Sequence, residues 1–126
     1  MWKYEITSGK LFDSTGKLVG LGYSGGNCGK NLEGLNNISM VSIKDIGPLP
    51  PGLYTFQMPI LESHLGPFAI PLLPDSTNIM FGRGYFFVHG DLISGAPHSA
   101  SEGCIILPRP TRNAMWASPD HLLLVY

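Results

Sequence analysis

A histidine and a cysteine stand fifteen residues apart in the second half of the chain, His89 and Cys104, each beside a short apolar run. A cysteine attacks an acyl carbon as its thiolate, and a nearby imidazole is the usual means of forming thiolate at neutral pH. Gly103 directly precedes the cysteine, and a Gly-Cys junction lets backbone amides point at a substrate oxygen. The pattern predicts Cys104 as nucleophile, His89 as its base, and an oxyanion hole near Gly103.

Other polar side chains crowd between these two residues. Ser101 is expected to shape the turn before the nucleophile through hydrogen bonds from its hydroxyl to the backbone. Asp91 is expected either to orient His89 or to cap a turn. His98 competes with His89 for the role of base, but its loop setting makes it less precisely placed, so we favour His89.

Two interpretations without cysteine catalysis stay open at this point. Cysteine is among the most buried residue types, so Cys104 could be a packing residue. Alternatively, His89, His98 and Cys104, together with Cys28, could form a zinc-binding or structural module, because these residue types suit zinc. Structural zinc sites usually draw their ligands from close pairs such as Cys-x-x-Cys, and the chain contains no such pair.

Composition limits the class of protein. A chain of 126 residues is long enough for one domain with its own core, so we predict one domain over residues 1–126. The formal net charge is -1 and no run of Lys or Arg occurs, which argues against nucleic acid or a membrane surface as a partner. No motif calls for a cofactor. The 16 glycines and 11 prolines between short apolar runs favour a mainly β fold.

The apolar runs and their turn formers also predict individual elements. Residues 110–117 predict a helix, with a proline in its first turn and Pro119 just past its end, and a weaker helical turn is expected at 32–37. The proline-rich stretch 47–52 predicts a stiff connector, since three of its residues lack an amide proton. The candidate strands are 2–7, 17–23, 40–44, 53–58, 68–73, 85–89, 104–107 and 122–126.

The motif His89-Gly90, followed after a loop by Ser101-Glu102-Gly103-Cys104-Ile105, resembles the signature of the L,D-transpeptidase catalytic domain of the YkuD type. Longer stretches are similar to the small L,D-transpeptidase-like toxins of type VI secretion systems; these stretches are 23–25, 46–54, 86–91 and 100–107. The resemblance covers nearly the whole chain. It implies a mainly β, single-domain YkuD-like β-sandwich with one or two short helices and a catalytic cleft at the ends of the strands that carry His89 and Cys104.

The resemblance also implies an activity. Cys104 would attack the carbonyl between diaminopimelate and the terminal D-alanine of a peptidoglycan stem peptide, giving L,D-carboxypeptidase activity, D-amino acid exchange or a 3-3 cross-link. A cysteine peptidase that cuts another stem bond would use the same residues. Cell-wall members of the family tend to carry Arg two positions after the nucleophile, where this chain has Ile106. Arg109 and Arg112 are close enough in sequence to contact a substrate carboxylate instead.

The expected localisation follows from the same resemblance. Charged residues interrupt the first twenty residues, so no signal-peptide core is expected there. Such a protein would be made in the cytoplasm, carried by a secretion apparatus and active in the periplasm of a target bacterium. A periplasmic immunity protein that plugs the cleft is the expected partner.

Overall fold

The computed structural model describes residues 1–92, 96 and 98–126. Within these residues, one helix, α1 (Arg109–Ala117), stands beside nine strands and three short 3-10 turns at Asn27–Gly29, Leu32–Gly34 and Ile38–Met40. The strands are β1 (Trp2–Glu5), β2 (Lys10–Phe12), β3 (Leu18–Leu21), β4 (Tyr23–Ser24), β5 (Gly52–Phe56), β6 (Ile70–Pro74), β7 (Phe87–His89), β8 (Ile105–Ile106) and β9 (Leu122–Val125).

The strands form one continuous ladder in the order β3-β2-β1-β9-β5-β6-β7-β8-β4. Strand β6 joins the two halves of this ladder, because it pairs with β5 on one side and with β7 on the other. The pairs β1–β9 and β7–β8 are parallel, and the remaining pairs are antiparallel. The prediction of a mainly β, sandwich-like fold with mostly antiparallel strands is therefore confirmed.

A single residue brings the two edges of this ladder together. Gly22 connects β3 at one edge to β4 at the other, and its amide donates to the carbonyl of Gly9. A Cβ at this position would lie 2.0 Å from the carbonyl oxygen of Ile106 in β8, so the close approach requires glycine. The sheet is thereby rolled into a nearly closed barrel.

The core lies inside this rolled sheet and under the helix. Alternate residues of the strands point inward, among them Tyr4, Tyr54 and Leu123, which are fully buried. The helix adds Met115, which is also fully buried. Pro110 in the first helical turn and the amide of Ser118, which donates to the carbonyls of Ala114 and Met115, bound the helix as the sequence predicted.

Two of the predicted strands are corrected by the structure. Residues 40–44 are not a strand, because local bonds hold this stretch in turns: Asn37 caps the 3-10 turn through Ser39 N, and Ile43 N donates to Met40 O. The predicted strand 17–23 is broken at Gly22 into β3 and β4. The sequence pattern also missed β2, which offers only the two apolar residues Leu11 and Phe12. No helix in the described part of the chain is long and apolar enough to cross a membrane.

Candidate active site

His89 and Cys104 are brought together by two neighbouring parallel strands. His89 is the last residue of β7, and Cys104 directly precedes β8. The register pairs Val88 with Ile105, which sets Cys104 beside Phe87, and the Phe87 amide donates to the Cys104 sulfur at 3.4 Å. Both side chains line one cleft of about 600 Å³. The arrangement places a thiol and an imidazole on the same wall of one cavity.

The loop that carries Cys104 is fixed by two buried serines. The Ser101 hydroxyl accepts from the amides of Gly25 and Gly103 and donates to the carbonyl of Cys104 at 2.6 Å. The Ser24 hydroxyl donates to the Gly103 carbonyl at 2.8 Å. Because the Gly103 amide is used by Ser101, the Cys104 amide is the remaining donor of the pair expected to form the oxyanion hole.

Arg83 lies beneath this loop and was not identified from the sequence. Its buried guanidinium donates to four backbone carbonyls, those of Val41, Gly47, Pro48 and Glu102. Gly103 passes over it with φ +133°, and a Cβ there would lie 2.6 Å from the Arg83 guanidinium. Glycine is therefore required before the nucleophile for both conformation and space. The sequence signal for Arg83 is slight, an arginine between two glycines ahead of an apolar strand.

The His89 ring is buried and has a defined tautomer. Its Nδ1 lies 2.9 Å from the carbonyl oxygen of Gly90. A carbonyl can only accept, so Nδ1 carries the proton and Nε2 holds the lone pair that a general base needs. Burial lowers the pKa of His89 below its ordinary value, and the positive charge of Arg112 contributes in the same direction. The imidazole is consequently neutral at pH 7.

The thiol of Cys104 is also held in its neutral form. Burial raises its pKa to about 11, although the Phe87 amide and the Arg83 charge act in the opposite direction. Sequence reasoning predicted a thiolate formed by the histidine, whereas the resting structure favours a protonated thiol beside a neutral ring. A role as nucleophile would therefore require the proton to leave the Cys104 sulfur during the attack.

Asp91 and His98 make contacts apart from this pair. The Asp91 carboxylate accepts from the Tyr23 hydroxyl at 2.7 Å and from the Leu92 amide at 2.9 Å, which is the turn-capping alternative rather than the orientation of His89. The His98 ring packs edge-on against Tyr23, with ring centroids 4.9 Å apart, and lines a separate cavity of about 390 Å³. The structure thus does not bring His98 to Cys104.

The two candidate arginines have different surroundings. Arg112 is buried, and its guanidinium donates to the carbonyls of Phe68, Leu107 and Pro67, so its main contacts are structural. Arg109 is exposed, with its guanidinium 4.5 Å from the centre of the Phe68 ring. Both line a second lobe of the cleft, of about 640 Å³. Arg109 is the more accessible of the two to a carboxylate.

The two lobes meet at a shared set of residues. They are Cys28, His64, Leu65, His89 and Ala100. Cys28 and Cys104 are free thiols, and the Cys28 sulfur faces the Glu102 carboxylate at 3.5 Å. The sequence predicted no role for His64 and offered Cys28 only as a possible zinc ligand, so their position in the cleft is what distinguishes these two residues. Among the residues that the structure describes, no group of three or more His, Cys, Asp or Glu side chains could hold a metal ion.

Comparison with known proteins agrees with this description. The fold is similar to that of an L,D-transpeptidase from Xylanimonas cellulosilytica, solved by crystallography, with a TM-score of 0.54 and 19% sequence identity. The match covers 99% of this chain and 59% of that one, so the chain spans about three fifths of the solved relative. No curated protein matches the chain. The family model described as the Tlde1 domain matches residues 21–121.

Proposed function

Because the chain belongs to the Tlde1 domain family, we propose that it is a cysteine enzyme acting on peptidoglycan tetrapeptide stems as an L,D-carboxypeptidase, an L,D-transpeptidase, or both. Membership confirms the resemblance to L,D-transpeptidase-like domains of type VI effectors, and the fold is that of a peptidoglycan-modifying transpeptidase-like domain. The single observation that carries the proposal is the shared cleft of His89 and Cys104, which adjacent parallel strands deliver side by side.

The first half of the reaction forms a thioester. As the Cys104 sulfur attacks the carbonyl carbon between diaminopimelate and D-alanine, His89 Nε2 takes the thiol proton and the carbonyl becomes an oxyanion. The Cys104 amide is the proposed donor to that oxyanion. The intermediate then collapses: the carbon–nitrogen bond breaks, the imidazolium returns the proton to the amine, and D-alanine leaves.

The second half resolves the thioester by the same chemistry in reverse. His89 Nε2 takes a proton from the acceptor, the acceptor attacks the thioester carbon, and the carbon–sulfur bond breaks as sulfur regains a proton. Water as acceptor gives a tripeptide stem, a D-amino acid gives an exchanged tetrapeptide, and the amine of a neighbouring stem gives a 3-3 cross-link. The neutral, buried His89 is suited to both halves, because it can accept a proton at pH 7.

The second lobe offers a site for the carboxylate of D-alanine. It adjoins His89 and is lined by Arg109 and Arg112, so its charge is complementary to a carboxylate that lies one residue beyond the scissile bond. Arg109 is the proposed contact, since its side chain is exposed while the Arg112 guanidinium is engaged with backbone carbonyls. A free D-amino acid acceptor would use the same lobe.

The biological role that we propose is that of an antibacterial effector. A type VI secretion apparatus would deliver it to the periplasm of a target bacterium, where loss of tetrapeptide donors would weaken the wall. A periplasmic immunity protein would protect related cells by covering the cleft that contains Cys104. The family assignment supports this proposal.

Digestion of purified muropeptides tests the activity. We expect the protein to remove one D-alanine from disaccharide tetrapeptides and, when a free D-amino acid is added, to exchange it, as read by mass spectrometry. Cys104→Ala should lower the rate by at least about 10³-fold, because it removes the nucleophile. Products cut at another stem bond would instead identify a cysteine peptidase. Full activity of the Cys104→Ala form would refute covalent catalysis by this residue.

A further inference from the structure

Tyr85 is the most exposed large side chain at the cleft. Its side chain is 97% exposed, yet it lines the lobe that contains Cys104. Its backbone has φ +60°, a left-handed conformation that is uncommon for a bulky residue and costs about 1 kcal/mol or more. Strained residues persist where the surrounding structure holds them, and they cluster at functional sites. A ring turned into solvent at this position therefore requires an explanation.

Two residues close to Tyr85 in the sequence are anchored in the structure. Two residues earlier, the buried Arg83 guanidinium bonds four carbonyls. The next residue, Phe86, is buried, and Arg83 lies over its ring at 5.3 Å from the ring centre. The backbone of Tyr85 therefore lies between two anchored residues, Arg83 and Phe86. An anchored backbone at this position lowers the conformational entropy that is lost when the ring binds a ligand.

The distance from the nucleophile indicates which part of a substrate the ring would meet. The Phe87 amide contacts the Cys104 sulfur, and Tyr85 lies two residues away, within about 7 Å along an extended chain. With the length of the tyrosine side chain added, the ring can lie roughly 10 Å from the sulfur. In a muropeptide, about three residues separate the attacked carbonyl from the sugar, again roughly 10 Å.

We propose that Tyr85 is the platform on which the N-acetylated amino sugar of the glycan stacks while the stem peptide reaches Cys104. The face of an aromatic ring suits the C–H-rich face of a pyranose, and the phenol can hydrogen-bond its polar substituents. This inference rests on the proposed function and adds the substrate class: stems attached to glycan are preferred over free peptides.

Two matched substrates test the platform. We expect Tyr85→Ala to lower kcat/KM on the disaccharide tetrapeptide by about five- to tenfold, mainly through KM, because the contact is remote from the reacting bond. The free tetrapeptide should be turned over at the wild-type rate. Tyr85→Trp should retain the preference for the disaccharide substrate, since it keeps an aromatic face.

Phe81 provides the matched control. It has φ +56° and a side chain 48% exposed, in the same connection between β6 and β7, but it is not among the described residues that line either lobe. Phe81→Ala should leave the ratio of the two kcat/KM values unchanged. Equal losses on both substrates in Tyr85→Ala, or no loss on either, would overturn the platform.

A binding measurement separates this proposal from the reaction itself. In the Cys104→Ala background, which cannot form a thioester, calorimetry with the disaccharide tetrapeptide should show about five- to tenfold weaker binding when Tyr85 is also replaced by Ala. Unchanged affinity would refute the platform even if the wild-type enzyme is active. Weakened affinity would support it even if the wild-type enzyme releases no D-alanine.

Discussion

The Cys104 side and the His89 side of the cleft each contain a buried arginine, whose positive charge favours the ionised form of Cys104 but the neutral form of His89. Arg83 lies beneath the Cys104 loop, and Arg112 lies behind Gly90, where a Cβ would approach its guanidinium to 2.9 Å. A positive charge favours a thiolate but disfavours an imidazolium. Burial disfavours the charged form of both groups. The two effects therefore oppose each other at Cys104 and act together at His89.

The balance between burial and the arginine charges decides the protonation states of Cys104 and His89 in the absence of substrate. At Cys104 burial outweighs the charge of Arg83, because the pKa is raised to about 11. At His89 both influences keep the ring neutral. The site thus differs from one that stores a thiolate-imidazolium pair. In the proposed mechanism, His89 is ready to accept a proton at neutral pH, whereas Cys104 is activated only when substrate enters. A protonated thiol is also protected from oxidants in an oxidising compartment.

Replacing the base should have the largest effect. His89→Gln is expected to lower kcat/KM for D-alanine release by about 10²- to 10⁴-fold, because no group then accepts the thiol proton. His98→Gln is the matched control, since His98 lines a separate cavity, and it should retain close to wild-type activity. Comparable losses in both variants would mean that the base has been misassigned.

Replacing either buried arginine should destabilise the fold. Arg83→Met leaves four carbonyls without their donor, and Arg112→Met leaves three, so each is expected to lower the free energy of unfolding by about 3 kcal/mol. Urea unfolding followed by circular dichroism measures the change. Arg109→Met, on the exposed side of α1, should shift stability by less than about 0.5 kcal/mol. Equal stability of all three variants would contradict the structural role of the buried pair.

The smallest effect expected is that of the His89 substitution on the alkylation rate of Cys104 in the absence of substrate. With a pKa near 11, folded Cys104 should be alkylated at pH 7.5 about 10²-fold more slowly than an ordinary thiol of pKa 9, and the rate should rise up to pH 11. Because the ring does not hold the thiolate, His89→Gln should barely change this rate. The Cys28→Ser background isolates the signal. Rapid alkylation at neutral pH that depends on His89 would instead reveal a stored ion pair.

The same pKa shift predicts a direction for stability. The unfolded chain loses the Cys104 proton near pH 9, whereas the folded protein retains it to about pH 11. The unfolded state therefore binds fewer protons in this interval, and stability falls as the pH rises from 9 to 11. Below pH 9 this contribution is fully present.

Elements and residues with a local signature could be predicted from the sequence. The strands around His89 and Cys104 and the helix α1 stand out because each is an apolar run or a proline-bounded segment. The turn expected around Ser101 is likewise local, and its hydroxyl does bond within residues 101–104. The prediction of a strand at 40–44 was wrong because the apolar residues there are held in turns by bonds to Asn37 and Met40, which outweigh strand propensity.

Contacts and strand pairings between residues that are far apart in the sequence could not be predicted. Arg83 bonds carbonyls up to 42 positions away, and a carbonyl has no residue type that a pattern could reveal. The parallel pairing of β7 with β8 is also invisible in the spacing, although it is what unites His89 with Cys104. Likewise, Asp91 is drawn to Tyr23, 68 positions earlier, rather than to the neighbouring histidine.

The position of β9 has a consequence for how the protein is made. This strand comes last in chain order but lies between β1 and β5 in the ladder. While the chain is on the ribosome, β1 and β5 have no partner on those edges until residues 122–125 emerge from the exit tunnel. The barrel therefore cannot be completed before residues 122–125 have been synthesised, and a nascent chain stalled before residue 122 holds its histidine and cysteine without a completed scaffold around them.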